Sequence, residues 1–117
     1  MLNGSHVIIY SQDAEGDRAF LRDVVGLPNV DAGDGWLIFK LPPAEIAVHP
    51  TDGPPTHELY FMCEDLAGTL LKLEASGATI SSPPRDQRWG VVAEVALPSG
   101  ARVGVYQPKH PVAYALE

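Results

Sequence analysis

The sequence has little cysteine, little positive charge and no long apolar run. A single cysteine, Cys63, stands among the 117 residues. No disulfide framework can form within the chain, and the apolar run around Cys63 reads as the setting of a buried structural thiol. Lysine and arginine number 8 against 15 acidic residues, a net charge of −7 with histidines neutral. A surface of that sign repels phosphate backbones, so nucleic acid is not an expected partner. No segment reaches the roughly 20 apolar residues of a membrane span, and residues 1–5 carry no basic region. The expectation is a cytoplasmic protein without membrane contact. A phosphate-cradling loop is missing too: Asp31-Ala32-Gly33-Asp34-Gly35 reads as a hairpin turn, with no lysine and no helix after it. No serine, histidine and aspartate sit in a recognisable nucleophile-elbow sequence.

What is present is a repeat. The length suits one domain and one core. His6 and His57 each open an apolar, strand-like run, and each run leads to an acidic helix cap, Asp13 or Asp65. Phe20, Val24 and Leu27 then recur at helical spacing, as do Leu66, Leu70 and Leu73. Gly26 and Gly77, each 20 positions after its histidine, suit the left-handed end of a helix. The pattern predicts helices over 14–25 and 66–76. Gly35-Trp36 and Trp89-Gly90 then precede strands, and Leu41-Pro42 and Leu97-Pro98 mark turns into last strands over 45–49 and 102–106. The expected fold is α+β, a single domain of two tandem β-α-β-β-β units forming a mixed-sheet cleft. Unit one covers about 4–50, a linker 51–56, unit two about 57–108, and a loose tail 109–117.

The stretches HVIIYSQDAEGDRAFLRDVVGLP, GWLIF, LPPAEIAVHP, HELYFMCEDLAGTLLKLEASGATI and WGVVAEVALPSGARVGVYQP together resemble the vicinal oxygen chelate superfamily. That superfamily includes glyoxalase I, extradiol dioxygenases, fosfomycin-resistance transferases and bleomycin-resistance binding proteins. The resemblance runs from about His6 to Pro108. It implies a fold and leaves the choice of function open, because one scaffold hosts many chemistries. It also implies a homodimer in which unit one of one chain and unit two of the other share a pocket. Metal-dependent relatives carry ligands on the first and last strands of the units. Those positions fall here on His6, His57, Ala47 and Gly104. Relatives typically place glutamate at the last of these, and Gly104 cannot ligate anything.

The candidate site residues follow from strand alternation and from that resemblance. His6 and His57 approach each other if the units face. Two imidazoles hold iron, zinc, nickel or manganese only with a further ligand, commonly a carboxylate. Glu94 is the candidate carboxylate, as metal ligand, general base or partner of a substrate hydroxyl. Glu45 and His49 are alternatives on the last strand of unit one. Trp89, Tyr106 and Phe61 are candidate ligand walls, whereas Trp36 reads as core and His110 as a solvated tail residue. The bland reading of the histidines is polar strand ends, and of Glu94 a solvent-facing residue on a half-exposed strand. Two functions fit. One is a small-molecule-binding protein of the bleomycin-resistance type, with a divalent metal or none. The alternative is a metal-dependent dioxygenase or glyoxalase-type lyase or isomerase with two histidines and one carboxylate.

Overall fold

The computed structural model describes residues 6–45, 47–48, 50–54 and 56–116. Two helices begin in the same way. Asp13 caps α1 (Ala14–Phe20) by accepting from the Gly16 amide at 3.0 Å, and Asp65 caps α2 (Leu66–Ala75) by accepting from Gly68 at 3.2 Å. Glycine stands at the third helical position in both, because a Cβ there would meet the capping carboxylate at 2.2 Å or 2.4 Å. α1 runs on into one wider π turn over Leu21–Val25, and Gly26 ends it at φ +80°. Gly77, beyond α2, is also left-handed, at φ +108°. Both conformations suit glycine, which has no Cβ to clash.

Unit two carries the whole strand pattern. Four strands, β3 (Tyr60–Met62), β4 (Thr79–Gln87), β5 (Gly90–Ala96) and β6 (Arg102–Pro108), form a sheet in the order β3-β6-β5-β4. β3 runs parallel to β6 and the other pairings are antiparallel, giving a mixed sheet. β4 lies at an edge, and its Pro83-Pro84 pair sits where the register shifts between Ser82 and Arg85. An edge bulge is where a strand tolerates residues without an N–H.

Unit one is less complete. Its α1 is followed by a two-stranded antiparallel hairpin, β1 (Asn29–Asp31) and β2 (Leu37–Phe39), turned by Asp31, whose carboxylate accepts from Gly33 and Gly35. The expected first strand over 6–10 forms no ladder. The expected last strand over 45–49 forms none among its described residues, and Ile46 and His49 lie outside them. A strand without a neighbour in its own chain has nothing to pair with, and the α+β class stands without a demonstrated second β-α-β-β-β copy.

The core lies on one face of the four-stranded sheet. Ala93, Val95, Val103 and Val105 pack there with Leu66 and Leu70 of α2 and Phe20 of α1. The first unit's helix is thus built into the second unit's core. A buried carboxylate pins it: Asp17, 5% exposed, accepts from the Ser99 amide at 3.0 Å and from the Ser99 hydroxyl at 2.7 Å in the β5–β6 turn. Trp36, expected in the core, is 62% exposed and lies under the Arg18 guanidinium, 4.6 Å from its ring centre. An exposed cation–π contact holds it there instead of burial. Among the described residues, no helix is long and apolar enough to cross a membrane.

Candidate functional site

The sheet's other face carries the polar and aromatic side chains. Cross-strand register sets Tyr60, Gly104 and Glu94 in one row, with Met62, Tyr106 and Val92 in the next. Because side chains alternate along a strand, all six share the face turned away from α1 and α2. A cleft of about 250 Å³ opens over the first row. Its lining includes His57, Glu58, Tyr60, Glu94, Arg102 and the 7–9 segment of unit one. The lone strand-like run of unit one therefore forms part of the cleft wall.

Three rings gather beside this cleft. Tyr60, Trp89 and Tyr106 meet edge to face, with centroids 5.3 to 6.3 Å apart. Trp89 reaches them from the two-residue tip of the β4–β5 hairpin and stays 38% exposed, while Tyr106 beneath it is 9% exposed. Edge-to-face rings contribute beyond their buried area, so the trio is a firm apolar floor. His110 belongs to this group. Its ring lies 6.0 Å from that of Tyr106 and its Nε2 is 3.4 Å from the Tyr106 hydroxyl, so it is a half-buried neighbour and not a solvated tail residue. Nor is the tail wholly loose: the Ala113 amide donates to Glu45 at 2.8 Å. Burial raises the Tyr106 phenol above its ordinary range, helped by the charge of Glu45.

Tyr60 is the most perturbed group. Its hydroxyl donates to Glu58 Oε2 at 2.5 Å. That bond, then burial, then the charges of Glu58 and Glu94 push its pKa up to about 12, against a weaker opposing pull from Arg85. The tyrosine stays protonated and its proton is committed to Glu58. Sequence reasoning missed Tyr60 because it stands next to Phe61 in an apolar run. The signal was Gly104, a glycine opposite it in the last strand.

The predicted residues sort by face. Glu94 is half-buried and lines the cleft with His57, which is exposed. His6 is exposed, one residue before the lining segment. Trp89 and Tyr106 stand in the aromatic trio. Phe61 does not join them: it pairs with Val105 and packs on the core, the opposite face from Glu94. The alternation that carries Tyr60 outward carries Phe61 inward. Cys63 is half-buried, burial raises its pKa, and its Sγ donates to the Tyr106 carbonyl at 3.6 Å, as expected of a structural thiol.

A divalent metal fits poorly in one chain. Among the described residues, no three histidine, cysteine, aspartate or glutamate side chains gather closely enough to share an ion. Gly104 offers no donor atom, and the space over it is taken by the Tyr60 ring.

No family profile matches the sequence. No match is found among curated proteins either. Solved structures do match in shape. TnmS3, an antibiotic binding protein from Streptomyces sp. CB03234, is 23% identical, with a TM-score of 0.64 over 93% of this chain and 100% of its own. A lactoylglutathione lyase from Agrobacterium tumefaciens is 21% identical, with a TM-score of 0.60 over 90% of this chain and 92% of its own. A glyoxalase/bleomycin resistance protein/dioxygenase superfamily member from Sphaerobacter thermophilus is 17% identical, with a TM-score of 0.61 over 91% and 98%.

Proposed function

On the glyoxalase/bleomycin resistance protein/dioxygenase fold that this chain carries, we propose that it binds a small molecule in the cleft over Tyr60, Gly104 and Glu94. The observation that carries this reading is that the Tyr60 ring, braced from behind by Trp89 and Tyr106, and the half-buried carboxylate of Glu94 line one cleft. Ligand sites commonly combine apolar walls with a few placed polar groups. TnmS3, similar in fold, is an antibiotic binding protein, and a binding role needs no metal ligand at position 104. Within one chain the 7–9 segment already lines this cleft, and in this proposal a second copy of the chain covers the outer side of that segment. Val7, Ile8 and Tyr10 of the unpaired run are 51%, 62% and 90% exposed, an apolar strip that a partner's sheet would cover. The strand pattern of unit one would then be completed across the dimer, and His6 of one copy would approach His57 of the other.

Crystals soaked with aromatic fragments test the reading. Fragment density over Tyr60 beside Glu94 is expected. Fragments only elsewhere would reject it. The second reading, a metal-dependent lyase or dioxygenase, is favoured by His57 and Glu94 sharing the cleft. It needs a third ligand from outside the single chain. Elemental analysis of protein purified without chelator, with His57→Ala as control, separates the two. Stoichiometric metal lost in His57→Ala would favour the enzyme, and metal-free protein the binder.

A further inference from the structure

We propose that Tyr60 stands where a metal ligand would otherwise act, and that with Glu58 and Glu94 it makes a metal-independent subsite for an aromatic ligand bearing hydrogen-bond donors. This rests on the cleft-binding reading above and adds the chemistry of the ligand.

A glycine inside a strand usually signals a special backbone conformation or a close approach. The positive-φ glycines are Gly26, Gly33, Gly35, Gly77 and Gly100, so conformation does not require a glycine at 104. Space does. A Cβ at 104 would lie 2.1 Å from Cδ1 and 2.4 Å from Cε1 of Tyr60. The Tyr60 ring lies flat across the strand at a position where a side chain would project into the cleft. Any residue able to ligate a metal from position 104 would have to evict that ring.

The ring brings a hydroxyl whose hydrogen-bonding sense is fixed. Its proton goes to Glu58, which leaves its oxygen to accept. Among the described residues, no hydrogen bond or ion pair engages Glu94, which acts on Tyr60 by charge and lines the same cleft. Ionised carboxylates are acceptors only. The cleft therefore presents Tyr60 Oη, Glu58 and Glu94 as acceptors, with Trp89 and Tyr106 as apolar neighbours of the Tyr60 ring. A ligand that fits presents ammonium, hydroxyl or N–H groups on an aromatic body. Arg102, on the same cleft, is exposed, and its solvated guanidinium competes weakly for an anionic ligand. The chain's net charge of −7 adds to the preference for donors and cations.

Three indole probes share one ring and differ in the head group: tryptamine, tryptophol and indole-3-propionate. Binding to the full chain is followed by amide and side-chain chemical shifts, with EDTA present and again with added zinc or manganese. Tryptamine and tryptophol are expected to bind about tenfold more tightly than the propionate, the size of one charge-assisted hydrogen bond. Metal should change nothing. Tyr60→Phe keeps the ring over Gly104, so the fold should persist, and should reduce the advantage of the donor probes severalfold. Glu94→Gln should reduce that of tryptamine most. Equal or tighter binding of the propionate would overturn the donor chemistry while leaving a ligand cleft in place. Binding abolished by EDTA would overturn metal independence. Failure of all three probes would overturn the subsite, and only blank fragment soaks as well would remove the cleft reading.

Discussion

At the scale of single residues, the site is governed by how Tyr60 and Gly104 share space. Gly104→Ala inserts a methyl into the ring of Tyr60 and should destabilise the chain by about 1–3 kcal/mol, the usual cost of overpacking. In a Tyr60→Ala background the same substitution should be nearly neutral. A double-mutant cycle by chemical denaturation measures that coupling, and additive losses would show that the glycine serves another purpose. The Tyr60 proton gives a second test. Its folded pKa is about 12 against an ordinary 10.0. A group with a raised folded pKa contributes stability below its unfolded pKa and loses it as pH rises through the folded one. The contribution is therefore intact below about pH 10 and lost toward pH 12, the two values set for Tyr60. Glu58→Gln, which removes the largest cause, should lower that transition. Tyrosinate absorbance, with Tyr60→Phe subtracted, reads it directly, and an unmoved transition would show that Glu58 does not hold the proton.

Among the elements, the helices were the most legible part. Asp13, Asp65, Gly26 and Gly77 are local signals, and local signals survive folding because capping and left-handed turns are decided within a few residues. The last strand of unit two was equally plain: Val103 and Val105 alternate with Gly104 and Tyr106, which belong to the other face of the sheet. Side-chain direction in β3 was not legible. A three-residue strand inside an unbroken apolar run has two alternations that look alike, and only its register with β6 sends Tyr60 outward and Phe61 to the core. Trp36 and His110 misled because each is placed by one particular side chain, Trp36 by Arg18 eighteen residues earlier and His110 by Tyr106 four residues earlier. The most consequential element contact, Asp17 on Ser99, joins residues 82 apart and left no trace in local pattern. Asp17→Ala should cost about 1–3 kcal/mol by stranding the Ser99 donors, more than the roughly 1 kcal/mol expected for capping Asp65→Ala. Urea unfolding of the two variants checks the ranking. A neutral Asp17→Ala would mean that α1 is held by the apolar packing of Phe20 and of Leu21, Val24 and Val25 in the turn that continues it.

At the scale of the whole molecule, one half is closed and the other open. The radius of gyration is 14.9 Å, above the roughly 13.4 Å of a compact domain of this length. β1 is exposed along its length and the 6–10 run has no strand partner. The two helix starts and ends could be seen in the sequence because capping and spacing are written twice. The missing ladder of the 6–10 run could not, because strand pairing is decided by distant segments that local pattern does not record. The proposed homodimer predicts a sedimentation coefficient of two chains at micromolar concentration. It also predicts that Ile8→Asp shifts the population to monomer, because a charge would be buried in the apolar strip. A wild-type monomer would reject the dimer.

On the proposed function a ligand sits on the open face of the four-stranded sheet, and chemical-shift mapping tests this most directly. Titration of the isotope-labelled chain with tryptophol should move the resonances of Tyr60, Glu94, Gly104 and Tyr106 together, saturably and with one dissociation constant, while those of α2 stay in place. Saturable shifts confined to α2 or the β1–β2 hairpin, with the Tyr60–Gly104–Glu94 row unmoved, would contradict it.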